Sequence, residues 1–413
     1  MDGQIQNGLT MTEERVKTNP KSSKKLWISV GAGIALLLLS LVIQNNVGAE
    51  IPGWARLFTY GSTYIFLVPI YLLFIRHKKV IISNVVLLLL LVLTVETTCF
   101  FLLGMPSAFK KQFPIADLPA DHIAKQIGTL PYADSVHHPI KMNGNDTVFD
   151  VHITIDNHCK RVTPEYDSLK NKYAMFFGCS ICHGEGLEDN QTLPYYFQKH
   201  TSNVNAYNFG ISGHGTNNVL ARLQYKNISE QIPENKGIGI YVFFWDHIYR
   251  AIGTMSRYTE WVHSEPYYTM ENGKLIRNGN FKEGRKTISS LYEKLYQTNI
   301  VKYFKLDLPL RLNDSHIELV TEMILESKKE YTKKMGNDEF ILVIYPAYKA
   351  YSDDEMKKFK SFLKKKKIQY IDLSNWITYG PKYTLNGDAH PNAQTNELIA
   401  VELERRIRLK QFN

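Results

Sequence analysis

The sequence predicts an α/β fold with a parallel sheet, preceded by three transmembrane helices. Long apolar runs lie near the N-terminus, and short apolar strands alternate with helical patterns over the second half of the chain. The first of those strands ends in a glycine-bounded turn that carries a serine. Single strands separated by helices are typical of a parallel sheet with helices on both faces.

Three apolar runs each approach the roughly 20 residues that a helix needs to cross a bilayer. They cover Leu26–Ile43, Leu57–Ile75 and Val80–Leu103. Basic residues precede the first run and fill the loop between the second and third, whereas the loop between the first and second carries few. This distribution predicts a multi-pass membrane protein with a cytoplasmic N-terminus and a C-terminal domain that is periplasmic or extracellular.

Composition and one acidic residue refine this picture. The formal net charge is +9, but it is spread over long exported segments, so we expect no nucleic-acid partner. Glu96 falls inside the third apolar run. An intramembrane carboxylate is a candidate functional group, and the alternative is a side chain hydrogen-bonded between helices or near the outer interface.

The regions after the apolar runs differ in pattern. Scattered prolines indicate a linker, and the alternation over Val148–Ile155 predicts a strand of a small hairpin. The aromatic-rich stretch 250–308 fits the strand–helix rhythm poorly and predicts an insertion over the carboxyl edge of the sheet. The predicted regions are a cytoplasmic tail (1–25), a transmembrane region (26–104), a linker with a β-hairpin (105–170) and an α/β domain (171–413).

Within the α/β domain, apolar periodicity predicts strands and helices in alternation. The predicted strands are Tyr173–Phe177, Val204–Phe209, Gly237–Phe244, Phe340–Tyr345 and Ile368–Asp372. The predicted helices are Thr192–His200, Asn217–Tyr225, His316–Lys333, Asp353–Lys365 and Ala393–Leu409.

The turn after the first predicted strand carries the strongest chemical indication. Ser180 follows Gly178 and Cys179 at the end of a buried strand, where an open sheet binds ligands and a nucleophile is well placed. The same segment, through Cys182 and His183, satisfies the C-x-x-C-H pattern of covalent haem attachment.

Two further chemistries are open to the cysteines of this turn. Cys179 and Cys182 form a disulfide or remain two small buried side chains, and with His183 and His214 they offer a possible zinc set. We nevertheless expect no cofactor and no metal, because the haem pattern explains one short segment and the serine interpretation explains three.

Two more segments support a hydrolytic site. The second predicted strand runs into a glycine turn, Gly210 to Gly215, that puts backbone N–H groups where they can bind developing negative charge. Near the C-terminus, Asp388 precedes His390 by two residues on a loop before a helix that Asn392 begins. A carboxylate there can orient the imidazole, and the imidazole can take the proton of a serine; the alternative is an ordinary surface loop.

Taken together, the Gly178-Cys179-Ser180 turn, the Asn208 to Gly213 turn and the Asp388 to His390 segment resemble the SGNH/GDSL hydrolases. The resemblance covers roughly residues 173–409. It implies a three-layer α/β/α sandwich and ester hydrolysis or acyl transfer, with Ser180 as nucleophile, His390 as base and Asp388 as orienting acid. The N–H groups of Ser180 and Gly213 would form the oxyanion hole.

The chain departs from the family pattern at two positions. Cys179 stands where the family has an aspartate, and Asp246 falls where it has an oxyanion-binding asparagine. An ionised aspartate only accepts hydrogen bonds, so either His247 or Arg250 supplies the third donor, or Asp246 is protonated, or the activity is weakened; we expect His247 to be the donor. We expect Asp246, Arg250 and His214 to contact substrate; the alternative is a structural ion-pair network of Asp246, His247 and Arg250.

These observations predict a membrane-anchored, outward-facing serine esterase or O-acyltransferase. The expected substrate is an ester-bearing glycan or lipid of the cell envelope, an expectation that rests on topology and family analogy. The alternative is a protein of the same fold that has weakened catalysis and serves glycan binding or envelope assembly. The sequence identifies no protein partner.

Overall fold

The computed structural model describes residues 20–46, 52–104, 115–116 and 121–413, so most of the predicted cytoplasmic tail lies outside the described residues. The chain divides into two compact units. One comprises Met1–Lys111 together with Gln297–Leu306, and the other comprises Gln112–Tyr296 and Asp307–Asn413. The predicted insertion therefore contributes a short segment to the N-terminal unit.

The N-terminal unit is helical. Its described helices are α1 (Pro20–Asn46), α2 (Gly53–Arg76), α3 (Val80–Leu102) and the short α11 (Asn299–Tyr303). Three of them are long and apolar enough to cross a membrane, within Lys24–Gln44, Gly53–Arg76 and Val80–Leu102. These helices match the three apolar runs of the sequence.

Glu96 on α3 is the centre of a hydrogen-bond network in this unit. Its Oε1 accepts from Tyr60 Oη at 3.1 Å and from both the backbone N and the Nδ2 of Asn299 at 2.7 Å. Its Oε2 accepts from the Ile300 backbone N at 3.0 Å. Arg56 donates to the amide oxygen of the fully buried Asn299 at 3.3 Å. Glu96 is thus a hydrogen-bonded structural group that holds the segment 297–306, which favours the second of the two interpretations above.

The C-terminal unit contains the remaining elements. Its strands are β1 (Ile115–Ala116), β2 (Asp121–Ala124), β3 (Gly128–Pro131), β4 (Ser135–His137), β5 (Ile140–Asn143), β6 (Asp146–Asp150), β7 (Ile153–Ile155), β8 (Lys172–Phe177), β9 (Val204–Asn208), β10 (Lys236–Phe243), β11 (Pro266–Glu271), β12 (Lys274–Asn280), β13 (Phe340–Ile344) and β14 (Tyr370–Asp372). Its helices are α4 (Ser180–His183), α5 (Leu193–Lys199), α6 (Thr216–Tyr225), α7 (Asp246–Ile252), α8 (Met255–Glu260), α9 (Phe281–Gly284), α10 (Lys286–Tyr296), α12 (Asp314–Met335), α13 (Asp353–Lys365) and α14 (Ala393–Arg408).

A five-stranded sheet with the order β14-β13-β10-β8-β9 forms the centre of this unit, and all its pairings are parallel. Side chains alternate between the two faces of each strand. On β8, Tyr173, Met175 and Phe177 face a core that includes α6, α12 and α13, whereas Ala174 and Phe176 face a core with α5 and α14. The predicted α/β fold with helices on both faces of a parallel sheet is confirmed, and each predicted strand and helix lies within two residues of an observed one.

The region before the sheet differs from the prediction. Residues expected to form a linker contain β2 to β5, and the expected strand Val148–Ile155 is two strands, because β6 pairs with β5 whereas β7 pairs with β4. The change of partner occurs where Val151 N donates to Pro139 O at 3.3 Å. Arg161 forms isolated bridges to Ile155 and Asn208.

Substitution of Glu96 by leucine is expected to release the segment 297–306 from the helices of the N-terminal unit. The variant loses a charged acceptor that takes hydrogen bonds from Tyr60, Asn299 and Ile300, each worth about 1.5–3 kcal/mol. Hydrogen exchange of residues 297–306 in detergent-solubilised protein should become faster in Glu96→Leu and stay unchanged in Thr98→Val, a control on the exposed side of the same helix. Equal protection in both variants would contradict the assigned role.

Candidate active site

The backbone around Ser180 is shaped by close contacts that only glycine permits. Strand β8 ends at Phe177, and α4 begins at Ser180. A Cβ on Gly178 would lie 2.7 Å from the Cβ of Cys182, and one on Gly210 would lie 2.5 Å from the backbone N of His183. Gly178 therefore allows the tight connection from β8 into α4, and Gly210 allows the turn after β9 to pack directly on α4. Ser180 is 6% exposed at this carboxyl edge of the sheet.

The loop before α14 brings an imidazole to that serine. His390 Nε2 lies 2.8 Å from Ser180 Oγ, and His390 Nδ1 lies 2.6 Å from Asp388 Oδ1. The same carboxylate oxygen accepts the backbone N–H of His390 at 2.8 Å, which fixes the loop. Asn392 begins α14, where its side chain accepts from Thr395 N. The structure thus brings together the three residues predicted to form a catalytic triad.

Lys141, on β5, contacts the other oxygen of Asp388 and was not predicted from the sequence. Its Nζ forms an ion pair with Asp388 Oδ2, and the Asp388 side chain is only 4% exposed. Burial opposes ionisation of this carboxyl, but the hydrogen bonds and charge of His390 and the ion pair with Lys141 outweigh it and hold the pKa of Asp388 well below its usual range. Asp388 is therefore a carboxylate that accepts from the imidazole.

Glu185 is a second carboxylate beside the imidazole, also missed from the sequence. Its Oε2 lies 3.7 Å from His390 Nε2 and accepts from Ser212 Oγ at 2.8 Å. Burial lowers the pKa of His390, but the charges of Glu185 and Asp388 and the hydrogen bond that His390 donates to Asp388 more than offset this, so the pKa of His390 is raised. The imidazole is consequently a stronger base than an isolated histidine.

Arg161 fixes the loop that follows α4. Its side chain is fully buried and donates to the carbonyls of His183 at 3.0 Å, Gly184 at 2.6 Å and Leu187 at 2.5 Å, and to Asp189 at 2.8 Å. A guanidinium suits this role because its five N–H groups form a planar fork. Arg161 therefore positions the loop that carries Glu185.

Two backbone N–H groups are available near the serine. In the part of the chain that the structure describes, the N–H groups of Ser180 and Gly213 donate no hydrogen bond. Gly213 has φ +82, a value that favours glycine, and its carbonyl accepts from Trp261 Nε1 at 3.0 Å. Asn208 ties this turn to α4 by donating to Cys182 O at 3.0 Å and His183 O at 3.2 Å.

His247, predicted as the third oxyanion donor, is directed into the core. It is fully buried, its Nδ1 lies 2.8 Å from Tyr241 Oη, and its ring stacks on that of Tyr241. Among the described residues it makes no hydrogen bond to Ser180 or His390. The predicted role of His247 is therefore without support, because the first turn of α7 points this side chain toward the sheet.

The residues predicted to contact substrate are joined to one another by hydrogen bonds. Asp246 pairs with Arg250 at 2.6 Å and with Arg257 at 2.9 Å, and Arg250 donates to His214 O at 2.8 Å. The buried His214 ring lies 2.6 Å from Thr129 O, and burial lowers the pKa of His214 to about 3. The ion pairs favour the structural alternative for Asp246 and Arg250, with Arg257 in place of His247, and the contacts of Asp246, Arg250 and His214 with substrate stay a prediction.

The C-x-x-C-H segment faces the core rather than a ligand. Cys179 and Cys182 are free thiols, 1% and 0% exposed, and His183 Nδ1 lies 3.1 Å from Gly210 O. Burial lowers the pKa of His183 to about 3. In the described ranges, no three His, Cys, Asp or Glu side chains are arranged to hold a metal ion.

Comparison with known proteins gives matches only among solved structures; no protein-family model and no curated protein matches the chain. A lipolytic protein of the G-D-S-L family from Veillonella parvula is 12% identical, with 57% of this chain and 97% of that chain covered and a TM-score of 0.33. A lipase/acylhydrolase from Enterococcus faecalis is 13% identical, with 59% and 97% covered and a TM-score of 0.33. AlinE4, an SGNH-hydrolase family esterase, is 12% identical, with 60% and 98% covered and a TM-score of 0.31.

These matches are all to lipolytic proteins and esterases of the type that the sequence motifs resemble. The proposed function of this chain rests on the geometry of Ser180, His390 and Asp388.

Substitution of Arg161 by methionine is expected to destabilise the C-terminal unit. It leaves Asp189 without its cation and removes the guanidinium donor from three carbonyls, and removal of one partner of a buried pair costs about 3–5 kcal/mol. The urea midpoint should fall clearly for Arg161→Met and little for the exposed control Arg311→Met. Equal midpoints for the two variants would show that Arg161 does not fix the loop.

Proposed function

We propose that this protein is a membrane-anchored serine esterase or O-acyltransferase. The observation that carries the proposal is the hydrogen-bonded series from Ser180 Oγ through His390 to Asp388, with distances of 2.8 and 2.6 Å. A nucleophile, a base and an orienting carboxylate in this order are the arrangement that acyl transfer to serine requires.

The reaction proceeds in two halves. Ser180 Oγ attacks the ester carbonyl while His390 Nε2 takes its proton, and Asp388 stabilises the imidazolium through Nδ1–H. His390 then protonates the leaving alcohol, and an acyl group remains on Ser180. Water or an acceptor alcohol next gives its proton to His390 and attacks the acyl carbon. The bond between the acyl carbon and Ser180 Oγ then breaks, and His390 returns the proton to Ser180 Oγ, which restores both residues. The N–H groups of Ser180 and Gly213 are the proposed donors to the oxyanion.

The proposed location and substrate follow from the N-terminal unit and the loop charges. Three helices of sufficient length and apolarity support a membrane anchor, and the basic loops support an outward-facing C-terminal domain. An enzyme placed there meets ester-bearing glycans and lipids of the cell envelope. The membrane and such esters are therefore the proposed partners, and we propose no nucleic-acid partner.

A catalytically weakened glycan-binding protein is the second candidate. The observation that favours it is Asp246, which replaces the family's oxyanion-binding asparagine and is committed to ion pairs with Arg250 and Arg257. Two backbone donors without a side-chain donor would make a poorer oxyanion hole, since removing one donor typically costs about 100- to 1000-fold in rate.

Reaction with a fluorophosphonate probe separates these two candidates. Wild-type protein should be labelled and should hydrolyse a short-chain ester, because the serine hydroxyl is activated by His390. Ser180→Ala should lose labelling and at least about 10⁴-fold in kcat. Ser229→Ala is the matched control and should behave as the wild type, because among the described residues the Ser229 hydroxyl hydrogen-bonds to Asn227 alone. Absence of Ser180-dependent labelling would favour the non-catalytic candidate.

The pH dependence of ester hydrolysis should respond to the two charges beside the imidazole. His390 must be neutral to act as a base, so kcat/KM falls as the pH drops through the pKa of His390. The positive charge of Lys141 lowers this pKa and the negative charge of Glu185 raises it. Lys141→Met should therefore move the acid limb to higher pH, and Glu185→Gln should move it to lower pH. The exposed control Lys125→Met should leave the profile unchanged, and shifts of the opposite sign would refute this assignment.

A further inference from the structure

Glu185 lies where the alcohol part of an ester must sit. Its Oε2 is 3.7 Å from His390 Nε2, the atom that also lies 2.8 Å from Ser180 Oγ. The leaving oxygen has to come within hydrogen-bond distance of Nε2 to receive its proton. A group bonded next to that oxygen is therefore brought close to the carboxylate of Glu185.

The carboxylate of Glu185 is held in place, and it can still accept a further hydrogen bond. Ser212 Oγ donates to its Oε2 at 2.8 Å, and Arg161 fixes the preceding backbone at Gly184 O. Oε1 of Glu185 accepts no hydrogen bond from any described residue, and the side chain is 17% exposed. A carboxylate has about four lone-pair sites, so a substrate donor can bind without displacing Ser212.

The number of protons on the alcohol determines what can donate to Glu185. The leaving oxygen receives one proton from Nε2 and has none to share before that transfer. A hydrogen bond to Glu185 in the same complex must come from a second donor close to the reacting oxygen. In a vicinal diol, a free hydroxyl on the adjacent carbon meets this requirement.

We propose that Glu185 selects esters of vicinal diols, such as a sugar ring acylated next to a free hydroxyl. The inference rests on the proposed esterase function and narrows its substrate class. The Ser180 Oγ–acyl bond forms, the ester C–O bond breaks, and the serine proton passes through Nε2 to the leaving oxygen. Glu185 accepts a hydrogen bond from the neighbouring hydroxyl and remains a carboxylate throughout.

If Glu185 acted only through its charge on His390, the two kinds of ester would respond differently from the proposal. A charge beside His390 changes the basicity of the imidazole for every substrate alike. A hydrogen bond to the neighbouring hydroxyl instead distinguishes two esters that differ only in that group. The ratio of two kcat/KM values therefore separates the two roles.

The test uses full-length protein in detergent and two acetate esters. One is the monoacetate of cis-1,2-cyclohexanediol, and the other is the same ester with its free hydroxyl methylated. Wild-type protein should have a kcat/KM about ten-fold or more higher for the monoacetate with the free hydroxyl than for the methylated ester, as expected for a hydrogen bond to a charged group. Glu185→Ala should bring the ratio close to one. Glu185→Gln, which keeps an amide oxygen, should retain part of the preference, and the exposed control Glu230→Gln should retain all of it.

The other outcomes contradict either the inference about Glu185 or the proposed esterase function. Equal kcat/KM values of the wild type for the two esters would overturn the inference, whether or not a Glu185 variant folds. Equal losses on both esters in Glu185→Ala would also overturn it, in favour of a charge acting on His390. Turnover of both esters that persists in Ser180→Ala would instead refute the proposed function itself.

Discussion

The hydrogen bond between Ser180 Oγ and His390 Nε2 is the interaction on which the proposed chemistry depends. Its partners are 210 residues apart in sequence, and they meet because β8 occupies an interior position of a parallel sheet whose strands all end at one edge. Gly178 allows the tight connection from β8 into α4, and Gly210 allows the turn after β9 to approach α4 closely at that edge. The loop before α14 then needs only to be held at one end by Asp388 for the imidazole to reach the serine.

Residues from outside the sheet complete this arrangement. Lys141 comes from the strands that precede the sheet and forms an ion pair with Asp388. The buried Arg161 holds the loop that places Glu185 beside the imidazole. The imidazole is therefore between two carboxylates, and one of these is itself paired with a cation. Such an arrangement raises the basicity of His390 while leaving Asp388 ionised. The small strands before the sheet are thus a part of the site rather than a spacer.

Local pattern was sufficient for the sheet, whereas the predicted triad needed three local patterns together with the family resemblance. An apolar strand followed by a glycine turn placed Ser180, and an acid two residues before a histidine placed Asp388 and His390. Lys141 and Glu185 have no such signature, since their contacts join segments far apart in sequence. His247 was misplaced because sequence spacing does not fix which way the first turn of α7 faces, and here it faces Tyr241. The strand expected over 148–155 was divided because the change of pairing partner is a tertiary effect.

The central claim is that the Ser180 hydroxyl and the His390 imidazole act as nucleophile and base. Peptide mapping by mass spectrometry, after brief reaction of the full-length protein with an activated acetate ester and quenching in acid, tests it most directly. The account predicts an acetyl group on Ser180 that accumulates in the wild type and is nearly absent in His390→Ala. An acetyl group at other residues only, or equal acetylation of Ser180 without His390, would contradict it.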